Sequence, residues 1–229
     1  LIMSQIFNIF PTTVYVGEMS DHDNYKKSFY DVYHKFDYEE NEENNTVSEN
    51  TGNPNIIHLE DSLEPIFDEI ISHVKKYTCE VLGYKDLFNY MITKSWLSRH
   101  TSESREIPWH IHATSHISFC YYLNMPSKAH KLKFSNPHNK NSLWFGNKEG
   151  KYDNLQMIEK YNERNAETFF IDPPEGHVVL FPSSLMHSTE SIEGFEGERL
   201  AIIGDLTIVL KEGLLHYSTG YIHPQYWKI

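Results

Sequence analysis

The chain has 229 residues, a formal net charge of −12, 14 histidines and two cysteines. That length suits a single domain, 1–229, with a sizeable core, and the acidic balance argues against nucleic-acid binding driven by counterion release. Cys79 and Cys120 make no CxxC pair, which argues against a disulfide framework and fits a reducing, cytoplasmic compartment.

The first residues show no basic region ahead of an apolar run and no small-residue cleavage site, so no signal peptide is expected. No apolar run approaches the ~18 residues of a membrane helix, so no membrane span is expected either. Residues 5–17 read as a strand that enters through Pro11. Residues 22–37 read as a helix, with Tyr25, Phe29, Val32, Tyr33 and Phe36 at helical spacing and Asp21 or Asp23 as its cap. Residues 38–56 are acidic and turn-rich and read as a solvated loop, with a substrate-covering lid as the sharper alternative.

The clearest helix is 62–82, on the stripe Leu63, Ile66, Phe67, Ile70, Ile71, Val74 and Tyr77. Ser62 is its expected N-cap, Pro65 falls harmlessly in its first turn, and Gly83 ends it. From about residue 91 the pattern turns to short β runs at 91–99, 115–124, 131–134, 167–171, 177–181, 199–209 and 214–222. A short helix is predicted within 151–163. Helical support mainly at 20–85, followed by a β core at about 91–222, argues for a β-sandwich or jelly-roll barrel backed by N-terminal helices. The 15 Tyr, 13 Phe and four Trp suit such a mainly β core.

Chemistry concentrates in two places. In the stretch 109–126, His110, His112 and His116 share parity with Ser118, Cys120, Tyr122 and Asn124. On a continuous strand these side chains would lie on one face, and two imidazoles one residue apart could reach one metal ion. Further on, His187 follows Pro182 and a turn, and Arg199 opens an apolar strand. Buried there, Arg199 needs an anionic partner, either a nearby glutamate or a ligand carboxylate. Histidine is abundant here, so an HxH pair alone is weak evidence. The joint pattern of HxH, a distal His and an Arg at a strand start carries more. Imidazole serves Fe, Zn, Cu and Ni alike, so the residues do not choose the metal.

This pattern resembles the 2-oxoglutarate and Fe(II)-dependent oxygenases, in particular a group found in bacteria and phages, with further similarity to prolyl hydroxylase-like dioxygenases. Phe10-Pro11, Trp96, His110–His112, Tyr121–Leu123, Leu180–Ser183, His187 and Arg199 follow the order of that group. The resemblance implies a double-stranded β-helix of the jelly-roll, cupin-like type with supporting N-terminal helices. It implies Fe(II) on His110, His112 and His187, and 2-oxoglutarate held through its far carboxylate by Arg199 and Tyr122. It implies consumption of O2 and 2-oxoglutarate, with hydroxylation of a small molecule or of a prolyl or other peptide residue. His112 stands where the family pattern has a carboxylate, which leaves three neutral imidazoles and a less anionic site. His116 is a rival ligand, read as facing the pocket or core.

Asp205 shares the parity of Arg199 and is expected either to pair with it or to end the strand in solvent. Trp96 and Trp109 could line a pocket or belong to the core, and His223 needs no metal to explain it. Two other functions fit the same residues. One is a cupin-like metal-dependent dioxygenase that does not use 2-oxoglutarate; the other is a jelly-roll binding module without catalysis. The sequence leaves homo-oligomerisation open.

Overall fold

A computed structural model describes residues 6, 8–40, 46–47, 56–129, 131–137, 159–190 and 195–211. Its strands are β1 (Tyr15–Glu18), β2 (Glu39–Glu40), β3 (Thr46–Val47), β4 (Phe88–His100), β5 (Ile117–Asn124), β6 (Leu132–Ser135), β7 (Thr168–Ile171), β8 (His177–Pro182), β9 (His187–Thr189) and β10 (Arg199–Leu210). Two helices, α1 (His22–Val32) and α2 (Glu64–Lys75), precede the long strands. The major sheet runs β1-β8-β5-β10-β4-β3-β2, and a minor sheet runs β7-β6-β9. Neighbouring strands within both sheets are antiparallel.

Two cores follow from strand alternation. On β5, Ile117, Phe119, Tyr121 and Leu123 face back toward the helices; Cys120 and Tyr122 face forward toward the minor sheet. On β10, Leu200, Ile202 and Leu206 face back and Ala201 and Ile203 forward. Both strands are central and covered on two sides, so they read as unbroken apolar runs. The back core is closed by Phe29 and Val32 of α1 and by Ile66, Phe67, Ile70 and Val74 of α2. Burying one such side chain contributes about 1.5–3 kcal/mol. The front core is closed by Leu132 and Phe134 of β6.

Several element boundaries differ from the sequence expectation. The first strand is confined to Tyr15–Glu18. The helix at 22–37 is α-helical only to Val32, then tightens to a 3-10 turn, Tyr33–Lys35. The stretch 38–56 is not all loop, since β2 and β3 pair with each other and β3 pairs with β4. The second helix starts at Glu64 rather than at Ser62, whose hydroxyl bonds Glu60 instead of capping. Its last turn widens to a π turn, Lys76–Val81, where the Thr78 hydroxyl bonds back to the Val74 carbonyl at 3.0 Å. Gly83, at φ +78°, ends it. Residues 159–163 carry turns rather than helix, and 151–158 lie outside the described residues, as do the predicted strand 214–222 and His223. The other predicted strands form within a few residues of their expected bounds. No helix among the described residues is long and apolar enough to cross a membrane.

Candidate metal centre

The HxH segment does not lie on a continuous strand with β5. A turn at Ala113–Thr114 separates it from Ile117. His110 instead forms an isolated antiparallel bridge to His187, each N–H bonding the other's carbonyl at 3.0 Å. The His112 N–H bonds the Ser183 carbonyl at 2.9 Å. The segment thus closes onto β9 and onto the turn after β8. That backbone pairing carries His110, His112 and His187 to one point, with a ligand nitrogen of each within 4.8 Å of the others.

His116 drops out of this cluster. It is exposed, and its Nδ1 accepts from the Ile208 N–H at 3.2 Å, so it faces neither pocket nor core. The shared face predicted from parity ends at Ser118, because the intervening turn breaks the alternation. Trp109 is exposed on the same segment, with the Lys133 ammonium 4.8 Å from its ring, and does not line the cluster. Trp96 does, its ring centred 5.6 Å from that of His112.

The hydrogen bonds fix the tautomers. His110 Nδ1 meets the Pro108 carbonyl at 2.8 Å and His187 Nδ1 meets the Leu185 carbonyl at 2.9 Å. A carbonyl only accepts, so both Nδ1 atoms carry hydrogen and both Nε2 atoms present lone pairs. His112 Nδ1 meets Asp205 Oδ1 at 2.6 Å. Burial alone would raise the Asp205 carboxyl, but hydrogen bonds from His112 and Ser118 outweigh it and hold the group below its usual range. Ionised, Asp205 accepts from His112 Nδ1, which leaves Nε2 as the His112 atom free to face a cation. Burial, aided by the neighbouring His110, pushes His187 down to about 3. Burial lowers His110 also. Among the described residues no donor satisfies any of the three Nε2 atoms. Three converging imidazoles of this kind fit a first-row transition-metal cation.

Asp205 has a different partner from either one expected. It is fully buried and bonds His112 and Ser118, the latter at 2.6 Å, while Lys94 Nζ lies 3.0 Å from Oδ2. That last contact is an ion pair outside hydrogen-bond alignment. Since Ser118 donates to Asp205, Ser183, 2.9 Å away, donates to Ser118. Sequence reading placed Ser118 on the histidines' face without giving it a role, and it missed Lys94 and Ser183. Register joins two of the three to Asp205, which sits opposite Ser118 on β5 and opposite Lys94 on β4.

At the other end of the same front face lies Arg199, 2% exposed. Its Nη2 donates to the Tyr122 hydroxyl at 3.3 Å, and its guanidinium carbon sits 5.0 Å from the centre of that ring. Its Nε and Nη1 are buried without a hydrogen-bond partner among the described residues. Burial pushes the Tyr122 phenol up, so it is neutral and keeps its proton. A buried cation with two idle donors is costly. The arrangement fits an anion that reaches Arg199 from the direction of the histidines, across a floor of Ala201, Ile203 and Cys120.

Residues 94–205 match the model of a family described as "Putative 2OG-Fe(II) oxygenase". That stretch runs from Lys94 to Asp205 and contains the whole histidine cluster, Tyr122 and Arg199. No curated protein matches the chain by sequence. HygX from Streptomyces hygroscopicus, solved with nickel, 2-oxoglutarate and hygromycin B bound, is similar at 12% identity over 86% of this chain and 83% of that one, TM-score 0.55. The non-heme alpha ketoglutarate dependent epimerase SnoN from nogalamycin biosynthesis is similar at 7% identity over 86% and 78%, TM-score 0.56. An oxidoreductase of the 2OG-Fe(II) oxygenase family from Burkholderia pseudomallei is similar at 10% identity over 83% and 95%, TM-score 0.50. At such identities the likeness shows the fold, the double-stranded β-helix. The family match covers 94–205, just under half of the chain, and the solved structures are similar to it in fold.

Proposed function

We propose that the chain is a 2-oxoglutarate-dependent Fe(II) hydroxylase whose metal is held by His110, His112 and His187. Arg199 and Tyr122 bind the far carboxylate of 2-oxoglutarate. The observation that carries the co-substrate reading is Arg199, whose buried Nε and Nη1 have no partner and whose side chain shares a face with the Asp205 that backs His112. A carboxylate seated on this guanidinium supplies the anionic acceptor that these buried donors lack. A metal-dependent dioxygenase that uses no 2-oxo acid would leave them idle.

Iron(II), when bound, supplies the activation of O2 that couples decarboxylation of 2-oxoglutarate to oxidation of a substrate. The protein's part is to bind, orient and exclude. The backbone carbonyls of Pro108 and Leu185 fix the ring orientation of His110 and His187. Tyr122 donates its phenolic proton to the carboxylate that Arg199 grips. Phe181 meets His187 edge-on with ring centres 4.8 Å apart, Phe134 lies tilted beside it, and the two keep that side of the site dry. Trp96 covers His112 on the other side.

The acceptor is a small molecule or a peptide residue. The Tyr121–Asn124 motif, similar to that of prolyl hydroxylases, supports a peptide. The helices and the β core act as one oxygenase domain. The cysteines Cys79 and Cys120 are free, and with a ferrous site they suit the cytoplasm. The test is succinate formation by the Fe(II)-loaded protein in air with 2-oxoglutarate, screened for stimulation by peptide and small-molecule pools. Succinate that requires 2-oxoglutarate, O2 and iron supports the reading. Oxygen uptake with a substrate but no 2-oxo acid contradicts it.

A further inference from the structure

His112 differs from the two other histidines in what stands behind it. His110 and His187 each give their Nδ1 proton to a neutral backbone carbonyl two residues away in sequence. His112 gives its proton to a carboxylate that lies 93 residues away, at 2.6 Å. Asp205 is fully buried, so its charge is poorly screened by solvent. Ser118 donates to the same oxygen, Oδ1, and Ser183 in turn donates to Ser118. The carboxylate is therefore held in one orientation by groups from β5 and from the turn after β8.

From this arrangement we infer that Asp205 is a positioning residue for the metal. It holds His112 with Nε2 aimed into the cluster, and it returns through the imidazole the negative charge that three histidine ligands lack. The inference rests on the metal reading above and extends it to a residue that touches neither metal nor co-substrate. A carboxylate behind a metal-bound imidazole fixes its tautomer and makes it a stronger donor. The carboxylate has in effect moved one ring outward from the position it takes in the HxD or HxE pattern. Lys94 works against this. Its ammonium pairs with Oδ2 and, over the Trp96 ring at 5.2 Å, draws on the same charge. Because the Lys94 side chain is 36% exposed, water screens much of that opposition.

If Asp205 were only the buried counter-ion of Lys94, replacing it would leave metal affinity unchanged. The experiment is Co(II) titration of the full chain under anaerobic conditions for wild type, Asp205→Asn and Lys94→Met. Asp205→Asn is expected to bind Co(II) about 10–100-fold more weakly, while Lys94→Met binds it at least as tightly as wild type. Equal Co(II) affinity in wild type and a folded Asp205→Asn overturns the inference, and so does a loss in Lys94→Met that matches the loss in Asp205→Asn. A second measurement needs no variant: histidine side-chain NMR of the Zn(II)-loaded wild type. The inference requires a strongly deshielded proton on His112 Nδ1, and a proton on His112 Nε2 overturns it. Wild type that takes up neither metal would instead defeat the metal reading itself, before Asp205 comes into question.

Discussion

The Arg199 guanidinium lies against the Tyr122 ring, donating from Nη2 to the phenol oxygen while Nε and Nη1 stay unpartnered in a buried place. Tyr122 stands opposite Ala201, two residues along β10 from Arg199, so the pair is built by sheet register and not by a loop. An arginine and a tyrosine fixed on two central strands are in place before any ligand arrives, which would cut the ordering cost of the proposed carboxylate binding.

Arg199→Met removes the cation and keeps much of the side-chain volume. Loss of a charge-assisted contact worth about 3 kcal/mol should weaken 2-oxoglutarate binding roughly 100-fold. Co(II) affinity should stay within the error of wild type, because no histidine partner changes. Calorimetry with each ligand in turn separates the two effects. Metal affinity lost in parallel would mean that Arg199 supports the fold rather than the co-substrate.

Tyr122→Phe deletes one hydroxyl from a buried ring and leaves the packing of the front core in place. One hydrogen bond to a charged group is worth about 1.5 kcal/mol, so the KM for 2-oxoglutarate should rise roughly 10-fold. The thermal midpoint should fall by a few degrees, because Arg199 Nη2 loses its acceptor. A fall in kcat with unchanged KM would place the phenol near the reacting atoms instead.

Much of this site was legible in the residues because its signals are local. His110 and His112 with the distal His187 name the cluster. Arg199 at the head of an apolar strand announces a buried cation. The alternation over 117–124 assigns Tyr122 and Cys120 to one face correctly. What escaped was set by distant pairing. The Ala113–Thr114 turn that sends His116 outward has no strong turn residues. The partner of Asp205 depended on strand order, which places β5 and β4 on either side of β10. The short β2 and β3 have no periodicity to read, being strands of two residues each that exist through pairing with each other and with β4.

Glu69 ties the N-terminal turn of α1 to α2. Its carboxylate accepts from the Ser20 N–H at 2.6 Å, the Ser20 hydroxyl at 3.0 Å and the Tyr25 hydroxyl at 2.7 Å. Burial would raise its pKa, but these hydrogen bonds outweigh burial and lower it. A carboxyl whose folded pKa lies below its unfolded one adds stability that is complete above the unfolded value and lost as pH falls through the folded one. Glu69→Gln should therefore cost about 1–2 kcal/mol near neutral pH and progressively less in acid. Urea midpoints of both proteins across pH 3–7 would show the curves converge at the acid end; a constant gap would contradict the account.

Gly204 sits between Ile203 and Asp205 on β10, facing the ring of Phe119. A Cβ there would fall 2.5 Å from Phe119 Cε1 and 2.8 Å from the Lys94 carbonyl oxygen. The Phe119 ring is fully buried in the back core and has little room to yield. Gly204→Ala should destabilise the protein by about 1–3 kcal/mol through overpacking. Combining it with Phe119→Leu should recover part of that loss, since the two sites share one contact. Thermal denaturation of the two single variants and the double variant measures the coupling, and strict additivity would show the clash to be absent.

The central claim is that three histidine nitrogens and one arginine form a single metal and co-substrate site. A crystal structure of the protein soaked anaerobically with Fe(II) and 2-oxoglutarate tests it most directly. The account predicts iron on the Nε2 atoms of His110, His112 and His187, with the far carboxylate of 2-oxoglutarate on the Arg199 guanidinium. Iron held by another set of residues, or 2-oxoglutarate bound away from Arg199, would contradict it.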